Sequence, residues 1–486
     1  CKQKNIDHID VPILKNESFV LENLNIKLNL GKFPISFKIS RKRFHKLKSF
    51  NDNFFFNISD VKFDNSKNKK SSILFFEFNS ENYDDLLNEL STIDKNILLL
   101  NTRRPVIWNF KTRRIILKNN CKVIDLNSYK NKIDKKINDD LNKFQKKFDE
   151  IWKHNSLFEE IFSFDSIPFW SSINKSFVNI CNSRFSESIS RIHLFKEFLS
   201  NSNISTILLW AETGQEEKEL IYVAKILKIK IIWLQHAMAA SENVFSESGK
   251  FISHLSHSSL SDKQLVWGEP AKSFGLSNFP SNDIVVAGSP RHDKFFNSQN
   301  TTQKSDIVLF APTKPSPLYS KSISINSSEN FIRVFKDVLK IMKTFPDKKL
   351  IIKPHPTPAV FVDFREIAKK IDPTVTFTYD SDLVKLISNC DLLITTNNST
   401  IAIEAMMLQK PVISLQTEDS ALEENIAKNN AILSLIDSKN LKNHLELIFS
   451  DQVYRKKLLE NSNKFLKTFF ANAGNSSKFL KTILDK

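Results

Sequence analysis

The residues with the most chemical promise stand where apolar runs end. Thr395 to Leu415 reads TTNNSTIAIEAMMLQKPVISL, and its first six residues all carry hydroxyl or amide side chains. DLLIT reads as a buried strand, Asn397, Asn398, Ser399 and Thr400 as the turn after it, and Ile401, Ala402, Ala405 and Met406 as the inward side of a helix. Ser399 or Thr400 is expected to cap that helix. Free backbone N–H groups at its start, with the hydroxyls, suit a phosphate. One turn further on, Glu404 stands among apolar and small neighbours, placed to accept both hydroxyls of a ribose whose phosphate lies at the helix start.

A second strand end, LIIKPHPTP, carries Lys353 and His355, with Pro354 and Pro356 fixing the backbone around the imidazole. A histidine held beside a lysine donates charge-assisted hydrogen bonds to phosphate oxygens. Thr313 and Lys314 close LFAPTK and are further phosphate candidates; the serine-rich loop that follows, through Ser328, is expected to close on substrate. In GSPRHD, Ser289 and Arg291 are placed to face a cleft, Arg291 either neutralising a donor pyrophosphate or carboxylate or forming an ion pair at an interdomain link. On the amino-terminal side two bases compete: Glu212 in LLWAETGQEE and His236, preceded by Gln235, in IIWLQHAM. A positioned base of this kind contributes about 10²–10⁴ in rate. Either residue can instead serve only to satisfy backbone N–H donors.

The elements that position these groups follow a rhythm. SSILFFEF, NILLLNTRRPVIW, STILLWAE, KIIWLQHA, QLVWG and DIVVAGSP recur as short apolar runs, and amphipathic stretches of helical length separate several of them, most clearly 131–154 and 186–199. A second series begins after Pro290 with DIVLFAPT, KKLIIKPHP, TVTFTYD, DLLITT and PVISL, interleaved with helices near 328–345, 361–371, 383 and 399 onward. Strands alternating with helices imply parallel sheets covered on both faces. The expected organisation is an irregular region 1–70, an amino-terminal domain 71–295, a carboxy-terminal domain 296–450 and closing helices over 451–486. In such open sheets ligands sit at the carboxyl ends of the strands. No G-x-G-x-x-G or Walker loop occurs, and with 7 glycines any phosphate must be held by other means.

Composition bounds the function further. With 41% hydrophobic and 26% charged residues, the 486-residue chain reads as globular. The net charge of +16 is spread along the chain, with only short clusters such as KNKK at Lys67 to Lys70. That spread argues for lysine-rich composition bias, with a lesser attraction to an anionic membrane surface or donor, and against nucleic acid. Cys1, Cys121, Cys181 and Cys390 form no zinc or redox spacing, which fits a reducing, cytoplasmic setting. No run reaches the ~20 apolar residues of a membrane span; Leu220 to Leu234 is broken by Lys225, Lys228 and Lys230. Cys1 stands where a methionine would, with no signal pattern, and reads as a trimmed start. No Asp-x-Asp or His/Cys cluster stands where a divalent ion would bridge phosphates, so no metal and no cofactor is expected.

VAGSPRHDKF, LFAPT, KPHP and NNSTIAIEAMMLQKPVIS, in that order and spacing, resemble the carboxy-terminal half of bacterial GT-B glycosyltransferases of surface polysaccharide synthesis. The pairing of an HP motif with a Ser/Thr motif is similar to that of transferases with cytidine-activated donors: capsule sialyltransferases, Kdo transferases and CDP-glycerol polymerases. The resemblance covers about 204–415. It implies two Rossmann-like doubly wound α/β domains facing a cleft, with a nucleotide-sugar donor and a glycan or lipid-linked glycan acceptor. It assigns donor phosphate binding to His355, Ser399 and Thr400 and ribose binding to Glu404. Glu212 before Gly214 resembles the acidic-acidic-Gly motif of polysialyltransferases, with Thr213 in place of one acid; Gln235 and His236 resemble QHG, with Ala237 in place of glycine. His355 and the Ser399 helix start are expected to stabilise charge on the departing nucleotide. A CDP-glycerol or polyol phosphotransferase, a UDP-sugar 2-epimerase and a non-catalytic nucleotide or lipid-surface binder are the competing readings.

Overall fold

The computed structural model describes residues 23–30, 33–40, 43, 46–47, 54–59, 61–63, 70–236, 257–278, 283–298, 305–313, 326–355, 364–379, 382–397, 399–417, 426–427 and 429–485. Two compact units divide the chain.

The first unit gathers 1–62, 107–114 and 125–198. β1 (Asn23–Leu30) and β2 (Phe33–Ser40) pair antiparallel. This hairpin lies within the region expected to be irregular. Its signal was the period-two alternation Leu24, Ile26, Leu28 and Phe33, Ile35, Phe37, which the surrounding Lys/Asn-rich stretches obscure. The same unit holds the helix Lys130–Ile151 and most of the helix Trp170–Ser200. The latter begins sixteen residues before the expected 186, because Trp170 and Phe177 pack with Phe162 and extend its buried side toward the amino terminus.

The second unit holds 63–106, 115–124 and 199–486 and contains two parallel sheets. In chain order the first is built from β3 (Ser72–Phe76), β4 (Asn96–Leu100) and β5 (Lys122–Val123). A two-residue antiparallel hairpin of the first unit, β6 (Ser163–Phe164) and β7 (Ile167–Pro168), intervenes. The sheet then continues with β8 (Ile204–Leu209), β9 (Lys230–Leu234), β10 (Lys263–Val266) and β11 (Asp283–Val286). The second sheet comprises β12 (Ile307–Ala311), β13 (Lys349–Ile352), β14 (Thr376–Phe377), β15 (Leu392–Thr396), β16 (Val412–Leu415) and β17 (Leu433–Leu435).

The seven strands of the first sheet lie in the order β11-β10-β9-β8-β3-β4-β5, and the six of the second in the order β14-β13-β12-β15-β16-β17. Each is the doubly wound, Rossmann-like order, in which the connections reverse direction once. The reversal falls between β3 and β8 in one sheet and between β12 and β15 in the other.

The pleat explains why the strands read as unbroken apolar runs. Leu309 and Ala311 of β12 face a core with Leu393, Val412 and the helix Thr400–Met407, while Val308 and Phe310 face another with Leu392, Ile394 and the helix Asn326–Met342. Alternate residues are therefore buried on opposite sides, each large one contributing about 1.5–3 kcal/mol. The helix 326–342 shows the matching pattern: Phe331, Val334, Phe335, Val338, Leu339 and Met342 recur at three- and four-residue spacing and are all buried.

The chain closes with the helices Gln452–Phe469 and Ser476–Asp485. Asp451 caps the first by accepting from the amides of Val453 and Tyr454. The second returns to the seven-stranded sheet, where Asp293 accepts from the amides of Ser476 at 3.0 Å and Ser477 at 2.7 Å. Gly288, at φ +84°, lies so close to the Ala471 carbonyl and the Ser476 hydroxyl that a Cβ would clash with both. Here glycine is required by conformation and by space.

Candidate functional site

At the rim of the six-stranded sheet, the polar run that begins at the end of β15 divides into two parts. Thr395 donates to the Ala311 carbonyl at 2.9 Å; the Thr396 hydroxyl donates to the Thr313 carbonyl at 2.8 Å and accepts from the Thr313 amide at 2.7 Å. These bonds tie β15 to β12 at the reversal point. Asn397 adopts φ +53°, a left-handed conformation that asparagine tolerates. Its side chain donates to the Thr417 hydroxyl at 2.9 Å and accepts from the Thr417 amide at 3.0 Å, while its carbonyl accepts from Ser414 at 2.8 Å. So the first three residues of the run that the structure describes fasten neighbouring strands together.

Ser399 and Thr400 differ from these. Ser399 is the extended N-cap residue of the helix Thr400–Met407, yet its side chain makes no capping hydrogen bond, against the expectation of a hydroxyl cap. The helix is held instead by burial of Ile401, Ala402, Ile403, Ala405, Met406 and Met407. Ser399 and Thr400 are half-buried, Lys353 is half-buried just past β13, and His355 is exposed two residues later. The Lys353 amide donates to the Phe310 carbonyl at 2.8 Å, which extends the β12–β13 pairing to this point. Asn398 and Lys314, both expected at the donor site, lie outside the described residues.

Glu404 is buried in the same helix, and its carboxylate accepts from the Arg291 guanidinium at 3.1 Å. Of the two roles expected for Arg291, the structure displays the ion pair. That pair joins the turn after β11 to the helix after β15. The adjacent His292 is fully buried, with Nε2 4.0 Å from the same Glu404 oxygen and Nδ1 2.7 Å from the Ser289 hydroxyl. Burial, and then the Arg291 and Lys294 charges, hold its pKa well below the ordinary value. Ser289, expected to contact a donor, is 2% exposed and positions this imidazole.

At the rim of the seven-stranded sheet the two candidate bases separate. Glu212 is buried, and both oxygens are occupied: Oε2 accepts from the Ser258 hydroxyl at 2.5 Å and the Leu260 amide at 3.2 Å, and Oε1 from the Ser259 amide at 2.6 Å and hydroxyl at 3.2 Å. It organises the 258–260 turn, the second role allowed for it by the sequence. Gln235 is likewise structural, accepting from the Trp267 amide at 2.7 Å through its side chain. His236 lies against Trp210, ring centroids 4.2 Å apart, and among the described residues its Nδ1 has no hydrogen-bond partner. Burial, then the charges of Arg291 and Arg104, lower its pKa to about 3, so the ring is neutral at pH 7.

Sequence reasoning missed Arg104 and Tyr83. Arg104 donates to the Glu77 carbonyl at 3.0 Å, the same oxygen that accepts from the Trp210 indole at 2.8 Å. Tyr83 is buried against Phe78, and among the described residues its hydroxyl has no hydrogen-bond partner. The signal for Arg104 was present: LLLNTRRP places two arginines at the carboxyl end of an apolar run. Nothing in the sequence marks Tyr83, which the fold brings in from the start of the helix Asp84–Leu90.

The arrangement therefore offers a helix start with hydroxyls, a buried carboxylate beside an arginine, and a neutral imidazole near two guanidinium groups. Among the described residues no group of three or more His, Cys, Asp or Glu is placed to hold a metal ion, and no helix is long and apolar enough to cross a membrane.

Comparison with known proteins bears on this arrangement. Residues 203–428 match the family described as CDP-Glycerol:Poly(glycerophosphate) glycerophosphotransferase. No curated protein matches the chain. Among solved structures, the S. aureus protein MnaA, solved with UDP, is 14% identical, with a TM-score of 0.52 over 86% of this chain and 97% of its own. The UDP-GlcNAc 2-epimerase of Neisseria meningitidis, bound to UDP-GlcNAc, is 15% identical, with a TM-score of 0.52 over 86% of this chain and 100% of its own. At such identity the likeness concerns the fold, which is of the GT-B type. Over 203–428 the chain is similar to transferases of the CDP-glycerol class.

Proposed function

We propose that this chain transfers a group from a cytidine-nucleotide donor to a bacterial surface-glycan acceptor, free or lipid-linked. The carrying observation is the Arg291–Glu404 pair, which couples the uncapped helix start at Ser399 to the rim that holds His236. On this reading the donor phosphates lie at Ser399, Thr400 and His355, with Lys353, Thr313, Asn398 and Lys314 adding donors or charge. Helix-start amides and an imidazole N–H stabilise the negative charge that develops on a departing nucleotide. Glu404 exchanges its Arg291 contact for the ribose hydroxyls. His236 takes the proton from the acceptor hydroxyl; Glu212 does not, because its oxygens are engaged by four donors.

Transfer of a sugar is the first reading. Transfer of glycerol phosphate is the second, and one observation favours it, the family match over 203–428. A 2-epimerase shares the fold, but a convincing set of acidic residues for proton abstraction on the sugar is missing from the sequence, and Glu212 is occupied. The work is expected at the cytoplasmic face of the membrane, where the net charge of +16 favours anionic surfaces.

The test is a thermal-shift series with CMP, CDP, UDP, GDP and ADP on the wild type and His355→Ala, followed by mass analysis of acceptor incubated with a CMP-sugar or with CDP-glycerol. A ligand at 100 times its Kd adds about 2.7 kcal/mol of stability. Stabilisation by CMP or CDP that is lost in His355→Ala is expected, and the mass added to the acceptor separates sugar from glycerol phosphate. Selective stabilisation by UDP would transfer the assignment to a UDP-sugar enzyme. Stabilisation by no nucleotide would overturn it.

A further inference from the structure

The helices of the first unit carry large apolar side chains that their own packing does not use. An inner ladder of rings is complete. Phe148 lies 5.3 Å from Phe144 and 5.7 Å from Trp152 between ring centroids, Trp152 lies 5.4 Å from Phe158, and Phe158 stacks on Trp170 at 4.6 Å. Both indoles are satisfied, Trp152 Nε1 donating to Asn182 Oδ1 at 3.2 Å and Trp170 Nε1 to Asn155 Oδ1 at 3.4 Å. Along the outer edge of this ladder Phe144, Ile151, Leu157, Ile161 and Phe164 stay exposed, Ile161 at 60% and Phe164 at 75%. This part of the chain lies outside the residues 203–428 of the family match.

Helix geometry accounts for the exposure. In the helix Asn155–Ile161, at 3.6 residues per turn, Leu157, Phe158, Ile161 and the following Phe162 share one side about 140° wide, and Asn155, Ser156, Glu159 and Glu160 share the other. Trp170 packs on Phe158 and Phe162, so half of the stripe is covered while Leu157 and Ile161 are not. Phe164 precedes the two-residue turn between β6 and β7, where Asp165 and Ser166 adopt φ +49° and +62°, the left-handed pair of a tight hairpin. In the helix Lys130–Ile151, Phe144 and Ile151 stand seven residues apart on one edge. Lys136, Lys143 and Lys147 recur at seven- and four-residue spacing on the adjoining row, all exposed. Asp140, the acid between the two rows, is engaged by His193 at 2.9 Å and Lys143 at 3.4 Å. Among the described residues Lys136 and Lys147 make no ion pair.

An apolar edge bordered by lysines fits a partner that is apolar within and negatively charged at its surface. Lysine stems lie along apolar material while their ammonium groups reach outward to phosphates, the arrangement of helices that lie in a membrane interface. A two-fold contact between copies on this edge would instead set like charges close together. We propose that Phe144, Ile151, Leu157, Ile161 and Phe164 insert into the headgroup boundary of an anionic lipid bilayer, with Lys136, Lys143 and Lys147 meeting lipid phosphates. The use of such an anchor, keeping the enzyme at the surface that carries a lipid-linked acceptor, rests on the transferase reading; the contact itself rests on these helices.

Co-sedimentation of the full chain with vesicles, without nucleotide, tests this. The vesicles are phosphatidylcholine alone or phosphatidylcholine mixed equally with phosphatidylglycerol, at low and at high salt. The wild type is expected to bind the mixed vesicles and to retain part of that binding at high salt. Ile161→Gln with Phe164→Ser should weaken it about 10- to 100-fold, and Lys143→Gln with Lys147→Gln about 5- to 30-fold on mixed vesicles only. All four side chains are exposed, so unchanged thermal melting of both variants is expected and separates lost contact from lost folding. No binding of the wild type to mixed vesicles overturns the proposal. So does full binding by the Ile161→Gln, Phe164→Ser variant, which assigns attraction to net charge alone. A wild-type dimer in solution that the same variant converts to monomer also overturns it and gives the edge to a second copy. If no cytidine nucleotide stabilises the chain while the vesicle results hold, the transferase reading falls and the membrane contact stands.

Discussion

The two rims solve different problems with the same strand order. At the six-stranded sheet, Thr395, Thr396, Asn397, Ser414 and Thr417 are neutral and bond to one another or to neighbouring backbone. Hydroxyls and amides both donate and accept, so a rim built from them completes itself without a ligand. At the seven-stranded sheet, among the described residues, the Tyr83 hydroxyl and His236 Nδ1 keep no hydrogen-bond partner, while the exposed Arg104 donates to the Glu77 carbonyl. A self-satisfied rim gives a rigid platform, and the proposed reading sets the nucleotide there. The other rim keeps polar atoms that the described residues leave unpartnered.

Acidification should separate the two halves most strongly. His257, like His236 and His292, belongs to the seven-stranded part, and burial lowers all three pKa values from the ordinary 6.5, to about 3 for His236 and about 4 for His257. The unfolded chain takes up protons near 6.5 that the folded imidazoles refuse, so this stability is complete above pH 6.5 and is lost as pH falls below it. The expected loss by pH 5 is on the order of several kcal/mol. Hydrogen exchange at pH 7 and pH 5, corrected for intrinsic rates, should show earlier opening of β9–β11 than of β12–β16. Equal loosening of the two sheets would remove the contrast.

Asn397→Ala strikes the self-satisfied rim. It removes the side-chain bonds to Thr417 and places a Cβ residue less tolerant of φ +53° in the turn. A loss of about 2–4 kcal/mol is expected in urea denaturation, with nucleotide affinity falling alongside. Retained stability would mean that the lock between β15 and β16 is not what holds the platform. Ser399→Ala should have the smallest effect on stability, under about 0.5 kcal/mol, because this hydroxyl makes no capping bond. Its cytidine-nucleotide affinity should nonetheless fall several-fold by calorimetry. A cap-sized destabilisation with unchanged affinity would make Ser399 an ordinary cap.

Much of the fold could be read directly. Apolar runs located every strand of the two parallel sheets except the short β5 and β17, and period-3.6 patterns located several of their helices, since a parallel sheet buried on both faces demands nearly continuous apolar strands. The positions of the candidate residues were legible where polar residues interrupt those runs: Lys353 and His355 do follow a strand, and Ser399 does precede a helix. Reading failed where a role depends on a partner distant in sequence. Glu212 and His236 look alike as polar strand ends, yet one is engaged by Ser258, Ser259 and Leu260 while the other keeps an unpartnered nitrogen. Ser289 likewise looked exposed until His292 folded back against it.

The sequence alone determined the alternation of strands and helices and the chemical types collected at their ends, because both follow from local periodicity and side-chain identity. Only the tertiary structure decided which of those groups are consumed by the fold. Arg291 meets Glu404 across 113 residues, and Arg104 and Trp210 meet at one carbonyl. Hydrogen bonds and ion pairs act over a few ångströms in space, whatever the distance along the chain, so satisfied and unsatisfied groups become distinguishable only once the chain has folded.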